Sequence, residues 1–406
     1  MSLVLTNATV IDGTGNDPVV AGLATEGARI RAVGETSPGP DATVLEADGL
    51  TVLPGLIDLH THLGVIAIGA PESLPPAVAA AHMFRNAELC LMSGHTSARE
   101  VGGADGGLVE AIELGLVTGP RVFPSGPLLC QSGGHGDYLS AFFAHHYHHD
   151  PGVPGLAQMS LVCDGPDEVR VAARTAFRQG ATQLKMCLSG GVVSLTDSLD
   201  DTQFTVEELR AAVAEAAARD TYVTAHAHNS QAVRNGLDAG VTCFEHGTFL
   251  DEDVVAAMAA AGATLVPTLT VLALMPDKWH EWGVPREALP RLAGVMEAQS
   301  ASLKMAFDVG VRIGSGSDCL GPDQGPRGLE IALKAEVLGP MLAIISATAT
   351  NARVLGRDDL GVLAPGKTAD IIAVDFDPLT QPRHWADPDR VILVIKDGVV
   401  VKDTRK

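Results

Sequence analysis

The sequence contains no CxxC pair; its six cysteines, Cys90, Cys130, Cys163, Cys187, Cys243 and Cys319, stand singly and far apart. That spacing excludes a disulfide framework and predicts buried thiols in a reducing compartment. No apolar run reaches the roughly 18 residues of a membrane span. The opening residues Met1-Ser2-Leu3-Val4-Leu5 lack the basic stretch and long apolar region of an export signal, so the expected location is the cytoplasm. Positive charge is also scarce: 28 Lys and Arg stand against 49 Asp and Glu, a net charge of −21. Such a surface repels phosphate backbones and anionic lipid, which leaves a small molecule as the expected partner, with no nucleic acid and no membrane.

What is present is a large core. With 406 residues, 46% hydrophobic and 19% charged, the chain is globular and long enough for two to three domains or one α/β barrel with a smaller companion. Short alternating runs at residues 2–8 and 28–33, broken by Asp12-Gly13-Thr14-Gly15, read as β-hairpins. Runs at 370–374 and 391–395, followed by Lys396-Asp397-Gly398-Val399, mirror them at the other end. The two termini are therefore expected to share a small β-sandwich, formed by residues 1–53 and 361–406.

Between the ends, eight apolar runs (53–59, 96–101, 121–124, 182–187, 222–225, 242–245, 264–267 and 311–314) alternate with Ala-rich helical stretches. Continuously apolar strands separated by helices imply a parallel sheet buried on both faces, and eight repeats predict a (β/α)8 TIM barrel over 54–360. Thr205 with Glu208 forms a capping box that opens one of those helices. A barrel places its chemistry at the C-terminal strand ends.

Those ends carry an unusual set of side chains. The first strand closes on Asp58-Leu59-His60-Thr61-His62, whose period-two spacing puts both imidazoles on one side. Later ends carry His226 and His228 (Thr224-Ala225-His226-Ala227-His228), His246 (Phe244-Glu245-His246-Gly247) and Asp318 (Gly316-Ser317-Asp318). Each alone suits a hydrogen-bonded core group; His60, His62, His226, His246 and Asp318 in barrel order point to a divalent-metal site. Lys185 lies in an apolar strand, Ala181-Thr182-Gln183-Leu184-Lys185-Met186-Cys187, where an unpaired ammonium is costly. Either its amine adds carbon dioxide to give an anionic N6-carboxylysine that bridges two metals, or it pairs with a substrate carboxylate.

The segment Pro54-Gly55-Leu56-Ile57-Asp58-Leu59-His60-Thr61-His62, taken with Lys185, His226, His246 and Asp318, resembles the binuclear branch of the amidohydrolase superfamily. Glu245-His246-Gly247-Thr248 and Gly361-Val362-Leu363-Ala364-Pro365-Gly366-Lys367-Thr368-Ala369-Asp370 resemble its prolidase-like and imidazolonepropionase-like group, which includes Xaa-Pro dipeptidases, carboxypeptidase-like enzymes and ochratoxin amidohydrolases. The resemblance implies two divalent metal ions, zinc in the first instance. His60, His62 and Asp318 would hold the buried one, His226 and His246 the more exposed one, and carboxylated Lys185 would bridge them. It further implies attack by a metal-bridging hydroxide on a peptide-like amide next to a free carboxylate, as in a dipeptide, an N-acyl amino acid or an ochratoxin-like aryl amide. Asp318 would shuttle the proton, and His228 would add a hydrogen bond to the developing oxyanion. The alternative substrates are a carbamate, thiocarbamate, urea or lactone.

Gly133-Gly134-His135-Gly136 is similar to a segment of the dipeptidases in that group, and it makes His135 and Tyr138 candidates for binding the substrate carboxylate, against an ordinary loop turn. Deaminases of the superfamily carry a catalytic glutamate where this chain has Asn229, which favours hydrolysis of an acyclic amide. Glu100 stands where many relatives carry aspartate, and Arg99 is expected to pair with it. His145, His146, His148 and His149 suit a lid or rim, while 272–284, with Met275, Trp279 and Trp282, suits a pocket wall or an oligomer contact. Apolar barrel surfaces lead us to expect a homo-oligomer.

Overall fold

Strands from both ends of the chain pair because each is too short and too apolar to stand alone. In this computed structural model, which describes residues 2–68, 74–137, 156, 159–194 and 196–405, they build one eight-stranded sheet. Its order is Val399–Asp403, Val391–Lys396, Ile371–Val374, Thr51–Pro54, Ser2–Val10, Val19–Glu26 and Arg29–Gly34, with Ala42–Glu46 also paired to Ser2–Val10. The seam is Thr51–Pro54 against Ile371–Val374, antiparallel and buried along its whole length. Leu3, Leu5, Leu23, Ile371 and Leu393 form the core beneath it.

The chain leaves this sheet through Gly55 and enters the next strand, Leu56–Thr61, at once. A Cβ on Gly55 would lie 2.2 Å from Thr96 Oγ1, so only glycine lets the two strands approach. Leu56–Thr61, His95–Glu100 and Arg121–Pro124 form a parallel three-stranded sheet. A seven-stranded sheet, also parallel, runs Ser160–Val162, Leu128–Cys130, Leu184–Cys187, Val223–Asn229, Cys243–Phe249, Thr264–Val266 and Arg312–Ile313.

The architecture is thus α/β with parallel central strands. The described strands do not form one unbroken ring, and two short strands, Leu128–Cys130 and Ser160–Val162, join those expected. Hydrogen bonds cross both gaps between the sheets. Leu59 N donates to Ser315 O (2.9 Å) and Asp318 N to His60 O (2.8 Å) on one side, and Thr182 N donates to Pro124 O (2.7 Å) on the other.

The intervening helices follow their local signals. Thr205 and Glu208 make the expected capping box for Val206–Ala217. Asn229 caps Ser230–Ala239 by accepting from Ala232 N and donates to Leu199 O, so it serves a helix start. All six cysteines are free and buried. Among the described residues no helix is long and apolar enough to cross a membrane.

Candidate metal centre

Seven of the expected residues come together at the C-terminal ends of the central strands. His60 and His62 leave Leu56–Thr61, Lys185 sits on Leu184–Cys187, His226 and His228 on Val223–Asn229, and His246 on Cys243–Phe249, and Asp318 follows Arg312–Ile313. All of them line one cleft enclosing about 680 Å³. Their donor atoms fall into two clusters, His60 with His62 and Asp318, and His226 with His228 and His246, each set within 4.8 Å.

The partners of each ring fix its tautomer. His62 Nδ1 lies 2.7 Å from Gly102 O, and a carbonyl only accepts, so the proton is on Nδ1. His60 Nδ1 lies 2.7 Å from the buried carboxylate oxygen Glu245 Oε2, which assigns its proton the same way. Both Nε2 lone pairs then face each other at 3.3 Å, with Asp318 Oδ1 at 3.5 Å from each. Three electron-pair donors converging on one point repel one another unless a cation lies among them, and this donor set fits a divalent ion.

The second cluster is held by neutral groups. His226 Nε2 lies 3.2 Å from Gly190 O, which leaves Nδ1 unprotonated. His228 Nδ1 meets Thr248 Oγ1 at 2.8 Å and His246 Nδ1 meets Thr268 Oγ1 at 2.7 Å. Burial, reinforced by nearby positive groups, drives His60, His226 and His246 well below the usual imidazole range, His62 to about 4 and His228 to about 3. All five imidazoles are therefore neutral near pH 7, the form that ligates metals.

Lys185 is 2% exposed, and among the described residues its Nζ has no hydrogen-bond partner. Burial lowers its pKa, and an ammonium beside two clusters of lone pairs has the wrong sign for a cation site. Burial also raises Asp318 to about 8, opposed chiefly by Lys185. A bound cation would reverse that shift.

The backbone departs from regular strand geometry at two of the clustered residues. His246 (φ 69°) and Asp318 (φ 53°) adopt left-handed conformations. Alternation would send consecutive residues Glu245 and His246 to opposite faces. Instead Glu245 bonds His60, and the His246 ring lies 5.1 Å from the His60 ring. Gly316 permits the approach of the Asp318 loop, since a Cβ there would lie 2.5 Å from His60 Cβ.

The sequence reading missed the supports beneath the ligands. Arg99 does not pair with Glu100: its NH2 donates to Glu245 Oε1 (2.5 Å) and its Nε to Leu59 O (2.6 Å). Glu100 instead accepts from Leu63 N (2.7 Å) and Thr61 Oγ1 (3.1 Å). Its buried carboxyl, raised to about 8, has no counter-ion as close as the one Arg99 gives Glu245. A buried guanidinium takes the stronger acceptor within reach, and here that acceptor is 146 residues away in sequence. Glu245 also accepts from Thr224. The only sequence signal was an acid directly before a ligand.

His135 stacks on His226, ring centroids 4.1 Å apart and 18° from parallel. Its Nδ1 lies 3.2 Å from Ser194 Oγ, which donates to Asp197. Tyr138 and His145, His146, His148 and His149 lie outside the described residues. Leu272 and Met275 line the cleft, and Trp282 is buried behind them.

The Amidohydrolase family profile matches residues 51–401. An ochratoxinase of Aspergillus niger is 32% identical over 366 residues, covering 86% of this chain and 75% of that protein. A prolidase crystallised with N-methylphosphonate-L-proline superposes with a TM-score of 0.95 at 36% identity, over 100% of both chains. A Xaa-Pro dipeptidase with bound methionine superposes with a TM-score of 0.85 at 30% identity, over 99% of this chain and 100% of the other. With this match spanning most of its length, the chain belongs to the Amidohydrolase family.

Proposed function

We propose that the protein is a binuclear metal-dependent amidohydrolase that cleaves a peptide-like amide next to a free carboxylate: a dipeptide, an N-acyl amino acid or an ochratoxin-like aryl amide. The observation that carries this reading is the pair of donor clusters sharing one cleft with Lys185, whose Nζ has no hydrogen-bond partner among the described residues. The names of the related ochratoxinase and prolidase support the amide bond as the target.

In this reading His60, His62 and Asp318 would hold one cation and His226 and His246 the other, and Lys185, once its neutral amine has added carbon dioxide and released a proton, would supply an anionic ligand to both. Carboxylation turns the misplaced cation into an anion and satisfies its buried nitrogen. Imidazole-rich donors suit zinc. Bound there, two divalent cations supply Lewis acidity, polarising the scissile carbonyl and acidifying water to a pKa near about 7.

The chain's own groups do the rest. Asp318 Oδ1 reaches the first cluster and Oδ2 lies 4.0 Å from His246 Nδ1, so the carboxylate spans both. From there it takes the proton of the attacking water and returns it to the leaving nitrogen. His228 donates from Nε2 to the carbonyl oxygen when the Thr248 hydroxyl donates to its Nδ1. His135 and Tyr138 hold the substrate carboxylate; burial lowers the His135 imidazole to about 4 against the opposing pull of Asp197, so the neutral ring offers a single N–H donor.

The central sheets are, in the same proposal, two arcs of one (β/α)8 barrel over residues 54–360, closed by the hydrogen bonds at Ser315 and Pro124. Residues 1–53 and 361–406 form the β domain. The test is chelation. Removing metal is expected to abolish hydrolysis of dipeptides and N-acyl amino acids, and zinc, manganese or cobalt is expected to restore it; full turnover by verified apoprotein would overturn the proposal.

A further inference from the structure

The polar floor of the cleft faces an apolar collar. Ile68 follows the first central strand, Val192 and Val193 follow Leu184–Cys187, Leu272 and Met275 lie on the helix Leu269–Lys278, and Leu320 follows Asp318. All six line the cleft, and all six belong to one buried cluster with Trp282. The collar is therefore the front of a packed core and not a set of loose loop side chains. Backbone hydrogen bonds tie its parts together: Ile68 N donates to Trp282 O at 2.7 Å, and Gly321 N donates to Val65 O at 3.1 Å.

Charge is confined to the floor. Among the described residues lining the cleft, the charged side chains are Lys185 and Asp318, and both belong to the proposed metal centre. A carboxylate or ammonium seated on the collar would lose its hydration with no charged partner among the described collar residues, whereas an aliphatic or aromatic group would release water from both surfaces. Met275 is 2% exposed and unbranched, which lets the wall fit groups of differing shape.

We propose that the substrate carries a bulky, uncharged apolar side chain beside the scissile amide, that this side chain seats on the collar, and that Met275 and Val193 enforce the preference. The proposal rests on the amide-hydrolase reading of the same centre and narrows its substrate class to hydrophobic aminoacyl or acylamino compounds.

The test uses metal-loaded protein and matched dipeptides, leucine against aspartate and methionine against lysine, on either side of the scissile bond. The apolar member of each pair is expected to have a kcat/KM higher by about 100-fold or more on at least one side. Equal or faster turnover of the charged members on both sides overturns the proposal. Met275→Lys is expected to reverse the leucine–aspartate preference with metal content retained; an unchanged preference in that folded variant also overturns it. Binding is read separately, through tryptophan fluorescence, with N-methylphosphonyl-leucine and N-methylphosphonyl-aspartate. Selective binding of the leucine compound with no dipeptide cleaved keeps the collar and sinks the amide reading. Tighter or equal binding of the aspartate compound sinks the collar.

Discussion

The two donor clusters use the same ring and are anchored by opposite means. Around His60 and the loop that carries Asp318 the supports are buried ions, while His62 donates to the Gly102 carbonyl. Glu245 joins His60 to Arg99, and the Glu245 and Arg99 side chains are both at 0% exposure. Asp58 accepts from His60 N (3.0 Å) and Ser317 N (2.9 Å) through one oxygen and from Arg327 NH1 (3.0 Å) through the other. A single carboxylate thus clamps the two chain segments that deliver His60 and Asp318. Around His226, His228 and His246 the supports are a carbonyl and two hydroxyls. An anionic partner on Nδ1 raises the basicity of the opposite nitrogen, and a hydroxyl does so far less. In the proposed centre the charged side is therefore expected to bind its cation more tightly than the neutral side.

Replacing Lys185 tests whether the two halves are coupled, and its effect is the largest expected. Lys185→Ala removes the bridge, and losing several kcal/mol of charge stabilisation corresponds to a rate lower by about 10³-fold. Metal analysis should find both sites depleted, with partial rescue of both by acetate or formate. Depletion of the His226 side alone would make the clusters independent.

Glu245→Gln acts on the charged side only. It keeps the shape and one hydrogen bond but leaves Arg99 without its closest counter-charge. Metal affinity of the first site is expected to fall by about 10- to 100-fold in a chelator competition, with the second site unchanged. Thermal unfolding should report a further loss approaching about 3 to 5 kcal/mol, the range for an uncompensated buried charge. Equal weakening of both sites would erase the asymmetry.

That asymmetry was invisible in the sequence, although most of the clustered side chains were not. Histidines spaced two apart at the end of an apolar run announce themselves, because strand alternation converts spacing directly into a shared face. Thr205 and Glu208 announced a helix start for the same local reason. Arg99 misled because adjacency in sequence suggested Glu100, and only the packed sheets bring Glu245 within 2.5 Å. The left-handed turn at His246 breaks the very alternation that a strand reading assumes, so the double duty of Glu245 and His246 had no sequence signature. The eight apolar runs correspond to parallel central strands, but Leu128–Cys130 and Ser160–Val162 were not among them.

The smallest effect is expected on the neutral side. Thr248→Val preserves volume and removes the hydroxyl that meets His228 Nδ1 at 2.8 Å. A neutral hydrogen bond contributes about 0.5 to 1.5 kcal/mol, so His228 loses orientation worth up to about tenfold. Where that loss appears assigns the ring. If His228 donates to the substrate carbonyl, kcat falls while the metal affinity of both sites holds, because the lost bond fixed the tautomer that carries a proton on Nε2. If His228 is instead a third ligand beside His226 and His246, the second metal weakens and the rate recovers when that metal is supplied in excess. Titrating metal into the Thr248→Val protein while following rate distinguishes the two, and it sharpens the comparison from which side is stronger to what the weaker side is for.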